Sequence, residues 1–227
     1  MLKIFYIDLS DNLFTASEEK SSGISLESRL HPKMPVYKNP VVSRNKRVGK
    51  AVTAYVACRF IGKSEKGYIL VRNEYGKPYF RDYPHFFFNI SHSGDFLVYA
   101  FSDTEVGVDI ERVNTARMAV AARFFHPEET RLLEQAASEE RDRLFFRYWS
   151  VKESFLKYTG KGLSRPLSSF RVELTDPGAA IYEDSKRLPL FVRECPVAAG
   201  YMSYVCSRQP DIPEIVPLFY RDLKAYL

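Results

Sequence analysis

With 227 residues, 45% of them hydrophobic and 27% charged, and with 17 Phe and 15 Tyr, the chain can bury a core as one large domain or two of roughly 100 to 120 residues. Disordered, collagen-like and coiled-coil classes are excluded. The most apolar run, Ala51 to Cys58, stops at Arg59, far short of the roughly 20 residues that cross a bilayer, and Asp8 and Asp11 follow Leu2 to Ile7 too soon for an export signal, so a cytoplasmic protein is expected. The net charge of +5 hides an imbalance: Arg29 to Arg81 holds thirteen Lys and Arg against Glu65 and Glu74, net +11, which leaves −6 for the remainder.

Leu2 to Leu9 reads as a strand, with Ile4, Tyr6 and Asp8 alternating against Phe5, Ile7 and Leu9, and a polar stretch with Ser21, Ser22 and Gly23 follows. No acid falls between Glu27 and Glu65, while Lys33, Lys38, Arg44, Lys46, Arg47 and Lys50 accumulate. Such a block attracts phosphates on nucleic acids, membranes or nucleotides, and a solvated helix face with no partner would look the same. Val48, Ala51, Val52, Tyr55 and Cys58 predict a helix from about Ser43 to Phe60, stopped by Gly62. A strand at Tyr68 to Arg72 leads through the turn Glu74 to Pro78 into Tyr79 and Phe80. Then come strands at Phe86 to Ser91, Phe96 to Phe101 and Val106 to Glu111, separated by turns at His92 to Asp95 and Ser102 to Thr104.

Helical spacing marks Ala116 to Phe124, Pro127 to Ala137 and Asp142 to Tyr158, the last ended by Gly160 and Gly162. Strands are expected at Phe170 to Leu174, Ile181 to Glu183 and Tyr201 to Ser207, with turns at Asp176 to Gly178 and Asp184-Ser185. Each half is a helix plus several strands, an α+β pattern, with a division at residues 1–104 and 105–227. The three cysteines, Cys58, Cys195 and Cys206, lack metal spacing and are expected as small buried apolar residues. His31, His85, His92 and His126 include no close pair of the kind zinc takes.

Three segments carry chemistry. In Glu105-Val-Gly-Val-Asp-Ile-Glu111 the period of two puts Val106, Val108 and Ile110 on one face and Gly107, Asp109 and Glu111 on the other. Two carboxylates side by side suit a hard cation such as Mg²⁺, and an ordinary solvent-facing strand has the same alternation. In Trp149-Ser-Val-Lys-Glu-Ser-Phe-Leu-Lys157 a spacing of four stacks Trp149, Glu153 and Lys157 on one helix face, as a surface ion pair would also do. Phe88-Asn-Ile-Ser-His-Ser-Gly94 ends a strand in groups that can face an anion, or is a hairpin turn with an incidental histidine; Lys77 lies just upstream.

In this order and at these separations, FNISHSG, GVDIE and WSVKESFLKYTGKG resemble the 4′-phosphopantetheinyl transferase superfamily, and most closely its surfactin-synthetase-activating branch. The likeness covers roughly Glu74 to Phe170. It implies two similar α/β subdomains in pseudo-twofold arrangement, each a mainly antiparallel sheet with packed helices, in a monomer. The implied reaction moves the phosphopantetheine arm of coenzyme A to a serine of an acyl, peptidyl or polyketide-synthase carrier protein, with adenosine 3′,5′-bisphosphate released. By the family's pattern Asp109, Glu111 and Glu153 hold Mg²⁺ or Mn²⁺, and Glu153 and Lys157 are catalytic. Arg44, Arg47, Lys77, Pro78, Ser91, His92 and Lys157 grip the coenzyme, with Lys33 or Lys46 competing for the 3′-phosphate. The N-terminal half is then the basic coenzyme-binding subdomain, the C-terminal half carries the metal site and catalytic helix, and Arg117 and Met118 begin the carrier-docking segment. Phe124 and Phe125 are expected to face the core.

The residues alone leave two other functions open. A metal-dependent nuclease or pyrophosphohydrolase would use the same carboxylates and lysine with water as the attacking group. A nucleic-acid-binding module would use the basic block and show strongly salt-dependent affinity.

Overall fold

The computed structural model describes residues 1–11, 13–16, 39–64 and 67–227. Lys33, Lys38 and the polar stretch at Ser21 to Gly23 lie outside the described residues. The class is α+β. Strand β1 (Leu2–Asp8) is followed by one helical turn, α1 (Leu13–Ala16), and a long helix, α2 (Pro40–Val56). Asn39 starts α2 by accepting the Val41 N–H, with Pro40 preset for the first turn, and a π-helical turn at Ala57–Ile61 ends on left-handed Gly62. The helix therefore begins three residues before the apolar periodicity does.

A short hairpin, β2 (Leu70–Arg72) with β3 (Pro78–Phe80), precedes β4 (Phe87–Ser93), β5 (Phe96–Ser102) and β6 (Val106–Arg112). The β4–β5 turn is only Gly94-Asp95, because His92 pairs with Leu97 and Ser93 with Phe96. The turn expected at His92 is thus strand, and Gly94 alone takes the left-handed conformation the tight connection needs. Helices α3 (Met118–Phe124), α4 (Pro127–Gln135) and α5 (Ser138–Thr159) follow, α5 starting one turn earlier than its apolar pattern and ending at left-handed Gly160.

The remaining strands are β7 (Arg171–Leu174), β8 (Gly178–Glu183), β9 (Lys186–Arg187), β10 (Phe191–Glu194), β11 (Tyr201–Ser207) and β12 (Glu214–Pro217), before a last turn, α6 (Tyr220–Leu223). One sheet has the order β12-β1-β5-β4 and another β6-β11-β10-β8-β7, with β9 on β8. Among the described residues every pairing is antiparallel except β1 with β12, which places β12 on the N-terminal sheet.

Three apolar clusters order these parts into layers. Val48, Ala51 and Val52 of α2 pack on Phe5, Leu97, Tyr99 and Phe101 of the first sheet. Phe145, Val151 and Phe155 of α5 pack on Val172, Met202 and Tyr204 of the second. Between the sheets lie Leu2, Ile4, Val98 and Ala100 against Val106, Val108, Ile110 and Val205. The order is helix, sheet, sheet, helix. Each fully buried Val or Ile of that middle layer contributes about 1.5–3 kcal/mol, and together they fix which face of β6 is left for α5. Cys195 and Cys206 are buried as expected, while Cys58 is exposed.

Candidate active site

The edge strands of the two sheets, β4 and β6, run beside each other joined by side chains. Asn89 Oδ1 accepts the Val108 N–H at 2.9 Å, Ser91 Oγ donates to Asp109 Oδ1 at 2.9 Å, and Ser93 Oγ donates to Glu111 Oε2 at 2.9 Å and accepts the Arg112 N–H at 3.0 Å. The period of two delivers Asn89, Ser91 and Ser93 to this seam, while Phe88 and Ile90 pack toward α2.

Helix α5 closes the other side. It lies so near β6 that a Cβ on Gly107 would stand 2.1 Å from Ser154 O and 2.2 Å from Tyr158 N. Only glycine allows that approach, and it sets Trp149, Glu153 and Lys157, one turn apart each, over Asp109 and Glu111. Lys157 Nζ donates to Asp109 Oδ1 and to Ser91 Oγ, both at 2.7 Å, and Trp149 Nε1 donates to Glu111 Oε1 at 3.2 Å. Ser203 Oγ holds the Asp109 carbonyl at 2.8 Å from β11.

The three acids differ in how they are satisfied. Asp109 is 2% exposed, and its Oδ2 is buried with no hydrogen-bond partner. Glu111 has a donor on each oxygen, yet burial, and then the Asp109 charge, raise its pKa. The Glu153 carboxyl makes no hydrogen bond among the described residues; burial pushes it up to about 7, the Asp109 charge adds to the rise and Lys157 opposes it. His92 on β4 is held below its usual value by desolvation, next by Lys157, with Lys46 of α2 acting in the same direction.

Among the described residues no group of three or more His, Cys, Asp and Glu side chains is placed to hold a metal ion. The donors nevertheless suit a hard divalent cation. Asp109 Oδ2 is an orphaned buried carboxylate oxygen, and three mutually repelling acids face one lysine.

Six of the sequence-derived candidates are thus brought together: Ser91, His92, Asp109, Glu111, Glu153 and Lys157. Lys77 Nζ is engaged within the protein, by Glu105 Oε2 at 2.7 Å, Val106 O at 3.1 Å and Tyr158 O at 3.3 Å. Pro78 opens β3 beside it. Arg44 donates to Leu9 O and Asn45 Oδ1, and Arg47 to Phe14 O, so both guanidinium groups fasten α2 to the segment after β1. Of the competing bases, Lys46 lies among the described residues and its charge acts on His92. Arg117 is exposed ahead of α3, whereas Met118 packs against the C-terminal core; Phe125 is buried as expected, but Phe124 is 43% exposed. The sequence reading missed Asn89, Ser93 and Ser203. The alternation of small polar residues in FNISHS was the available signal for the first two.

The sequence pattern of the 4′-phosphopantetheinyl transferase superfamily matches residues 105–206. The 4′-phosphopantetheinyl transferase psf-1 of Bacillus pumilus is 32% identical over 222 residues, which cover 96% of this chain and 94% of that one. The 4′-phosphopantetheinyl transferase ffp of Bacillus subtilis is 41% identical over 146 residues, 64% of this chain and 65% of its own. The 4′-phosphopantetheinyl transferase Sfp of Bacillus subtilis strain 168 is 40% identical over 152 residues, 66% and 68% of the two chains. This chain belongs to the 4′-phosphopantetheinyl transferase superfamily and is an enzyme of that family. No helix among the described residues is long and apolar enough to cross a membrane.

Proposed function

We propose that the protein transfers the 4′-phosphopantetheine arm of coenzyme A to a serine hydroxyl of an acyl, peptidyl or polyketide-synthase carrier protein. Family membership supports the reaction class. The observation that carries it to these residues is Glu153, unpartnered and raised to about 7, one helical turn from Lys157 on the same cleft.

The serine oxygen forms a bond to the phosphorus that bears the pantetheine arm. The bond from that phosphorus to the bridging oxygen breaks, and its electron pair leaves with adenosine 3′,5′-bisphosphate. Glu153 takes the serine proton. Lys157, 25% exposed, meets the charge that grows on the departing phosphate. Positioning and charge neutralisation do most of the work in such transfers. Asp109 and Glu111, with Glu153 as third donor, would hold Mg²⁺ or Mn²⁺, which when bound neutralises pyrophosphate charge as a Lewis acid.

Ser91 and His92 receive the coenzyme, with Pro78 on the neighbouring turn, and the 3′-phosphate falls between His92 and Lys46. Arg44 and Arg47 keep α2 in register for this. The carrier docks over exposed Arg117 and Phe124 at the two ends of α3, Met118 supporting them from beneath, and the basic N-terminal half favours an acidic carrier.

Incubation with coenzyme A, Mg²⁺ and an apo carrier protein, followed by mass spectrometry of the carrier, tests the reading. A phosphopantetheine mass gain that disappears in folded Asp109→Ala and Glu153→Gln is the expected result. No gain on any of several carriers, or coenzyme A cleaved equally well without a carrier, overturns it in favour of a hydrolase.

A further inference from the structure

The last turn of α5 presents carbonyl groups that no helical N–H can reach. Gly160 takes two of them back, its N–H donating to Leu156 O and Lys157 O. The Tyr158 and Gly160 carbonyls are met from outside the helix by the β2–β3 turn: Lys77 Nζ reaches Tyr158 O at 3.3 Å and Asn73 Nδ2 reaches Gly160 O at 2.9 Å. The same ammonium holds Val106 O, the first carbonyl of β6, at 3.1 Å, and pairs with Glu105 at 2.7 Å. One cation therefore ties the end of the helix that carries Glu153 and Lys157 to the start of the strand that carries Asp109 and Glu111.

The turn is built to hold that position. Asn73 Oδ1 accepts the Tyr75 and Lys77 N–H groups, and Asn73 and Lys77 also pair through their backbones, Asn73 N–H to Lys77 O at 3.0 Å. Gly76 takes a left-handed conformation to close the loop. On the other side, a Cβ on Gly160 would come within 3.1 Å of Asn73 Nδ2 and 3.3 Å of Lys77 Cδ, so a side chain at position 160, where φ is also left-handed, would crowd the turn. A cation here is also favoured by the negative end of the helix dipole.

We propose that Lys77, with Asn73, is a latch: a positioning pair that fixes the end of α5 against β6 and so sets the separation of Lys157 from Asp109. It deepens the transferase reading and rests on it only for the kinetic part. The latch acts through Tyr158 and Val106, not on the coenzyme, so its loss lowers the rate of transfer and not the binding of coenzyme A.

Lys77→Met, Lys77→Arg and Asn73→Ala in the full chain are compared by hydrogen exchange and by steady-state transfer to an apo carrier. Lys77→Met is expected to speed exchange at residues 157–161 about ten-fold, the equivalent of one lost hydrogen bond, with β4 amides unchanged. It should lower kcat about ten-fold or more while KM for coenzyme A stays within two-fold, and Lys77→Arg should recover part of both effects. Asn73→Ala gives the same exchange pattern and serves if Lys77→Met does not fold. Unchanged exchange at residues 157–161 in a folded variant overturns the latch, as does a raised KM with kcat intact. Faster exchange in a protein whose unaltered form transfers nothing upholds the latch and sinks the transferase reading.

Discussion

Ser93 Oγ lies 2.9 Å from Glu111 Oε2, so a hydroxyl at the edge of one sheet fixes an acid at the edge of the other. Ser91 does the same for Asp109, and Asn89 for the Val108 backbone two residues further back. The seam between the halves and the site are therefore one structure. Removing a seam residue should loosen both.

Asn89 is the sharpest place to test that. Its Oδ1 is the partner of a buried N–H, and Asn89→Ala leaves that donor without one, at a cost of about 1–3 kcal/mol. Ser93→Ala should cost less, because Glu111 keeps the Trp149 indole on its other oxygen. Urea unfolding of the two variants measures the order. Equal midpoints for Asn89→Ala and the unaltered chain would show that the seam does not need it.

Trp149 is the only tryptophan of the chain, and its indole N–H donates to Glu111. A paramagnetic divalent ion, if held by Asp109 and Glu111 as proposed, would sit within quenching range of that ring. Titration with Mn²⁺ should quench the emission to a plateau, and Asp109→Ala should shift the midpoint about ten-fold or more to higher concentration. A quench that grows linearly with Mn²⁺, the same in both proteins, would remove the cation from this cleft.

Much of this arrangement was legible in the sequence because it follows from local periods. The alternation through Val106 to Glu111 gave the buried and functional faces of β6, and the spacing of four gave the face of α5. What was hidden depends on partners far along the chain. The strand Glu214–Pro217 has no alternation of its own and is defined by its parallel pairing with Lys3 to Tyr6. Lys77 looked like a free cation until the fold brought Tyr158 to it, and Arg44 and Arg47 until Leu9 and Phe14 supplied their acceptors. Sequence shows which donors exist, and the tertiary fold decides which of them are already taken.

Gly107 gives a prediction about the contact on which the site depends. In Gly107→Ala the added methyl meets the backbone of α5 at Ser154 O and Tyr158 N, and a backbone cannot rotate aside as a side chain can. The helix must shift away from β6, at about 3 kcal/mol or more, and Glu153 and Lys157 move with it. Transfer activity should be lost with coenzyme binding weakened. A variant with normal stability and rate would mean that α5 and β6 have room between them.

Behind the site, Lys152 and Glu129 form an ion pair with side chains 0% and 1% exposed, 2.9 Å apart. Lys152 Nζ also donates to Leu167 O and Phe170 O, and Glu129 accepts the N–H groups of Val172 and His126, so every charge is met. Lys152→Met leaves Glu129 buried alone and should cost about 3–5 kcal/mol, most of it regained in Lys152→Met with Glu129→Gln. Burial pushes the Lys152 ammonium down to about 8, whereas in the unfolded chain it titrates near 10.4. Between those values the unfolded state binds more protons, so the Lys152 contribution is fully present above about 10.4 and is lost as pH falls through about 8. Glu129, raised by burial, acts oppositely on the acid side: its contribution is present below the ordinary carboxyl range and is lost as pH rises through its folded value. The unaltered chain should therefore gain stability on the double variant as the pH is raised from 8 to 10, read as the difference in urea midpoints. A difference that stays flat or shrinks over that range would show that Lys152 keeps its proton in the folded protein as firmly as in the unfolded chain.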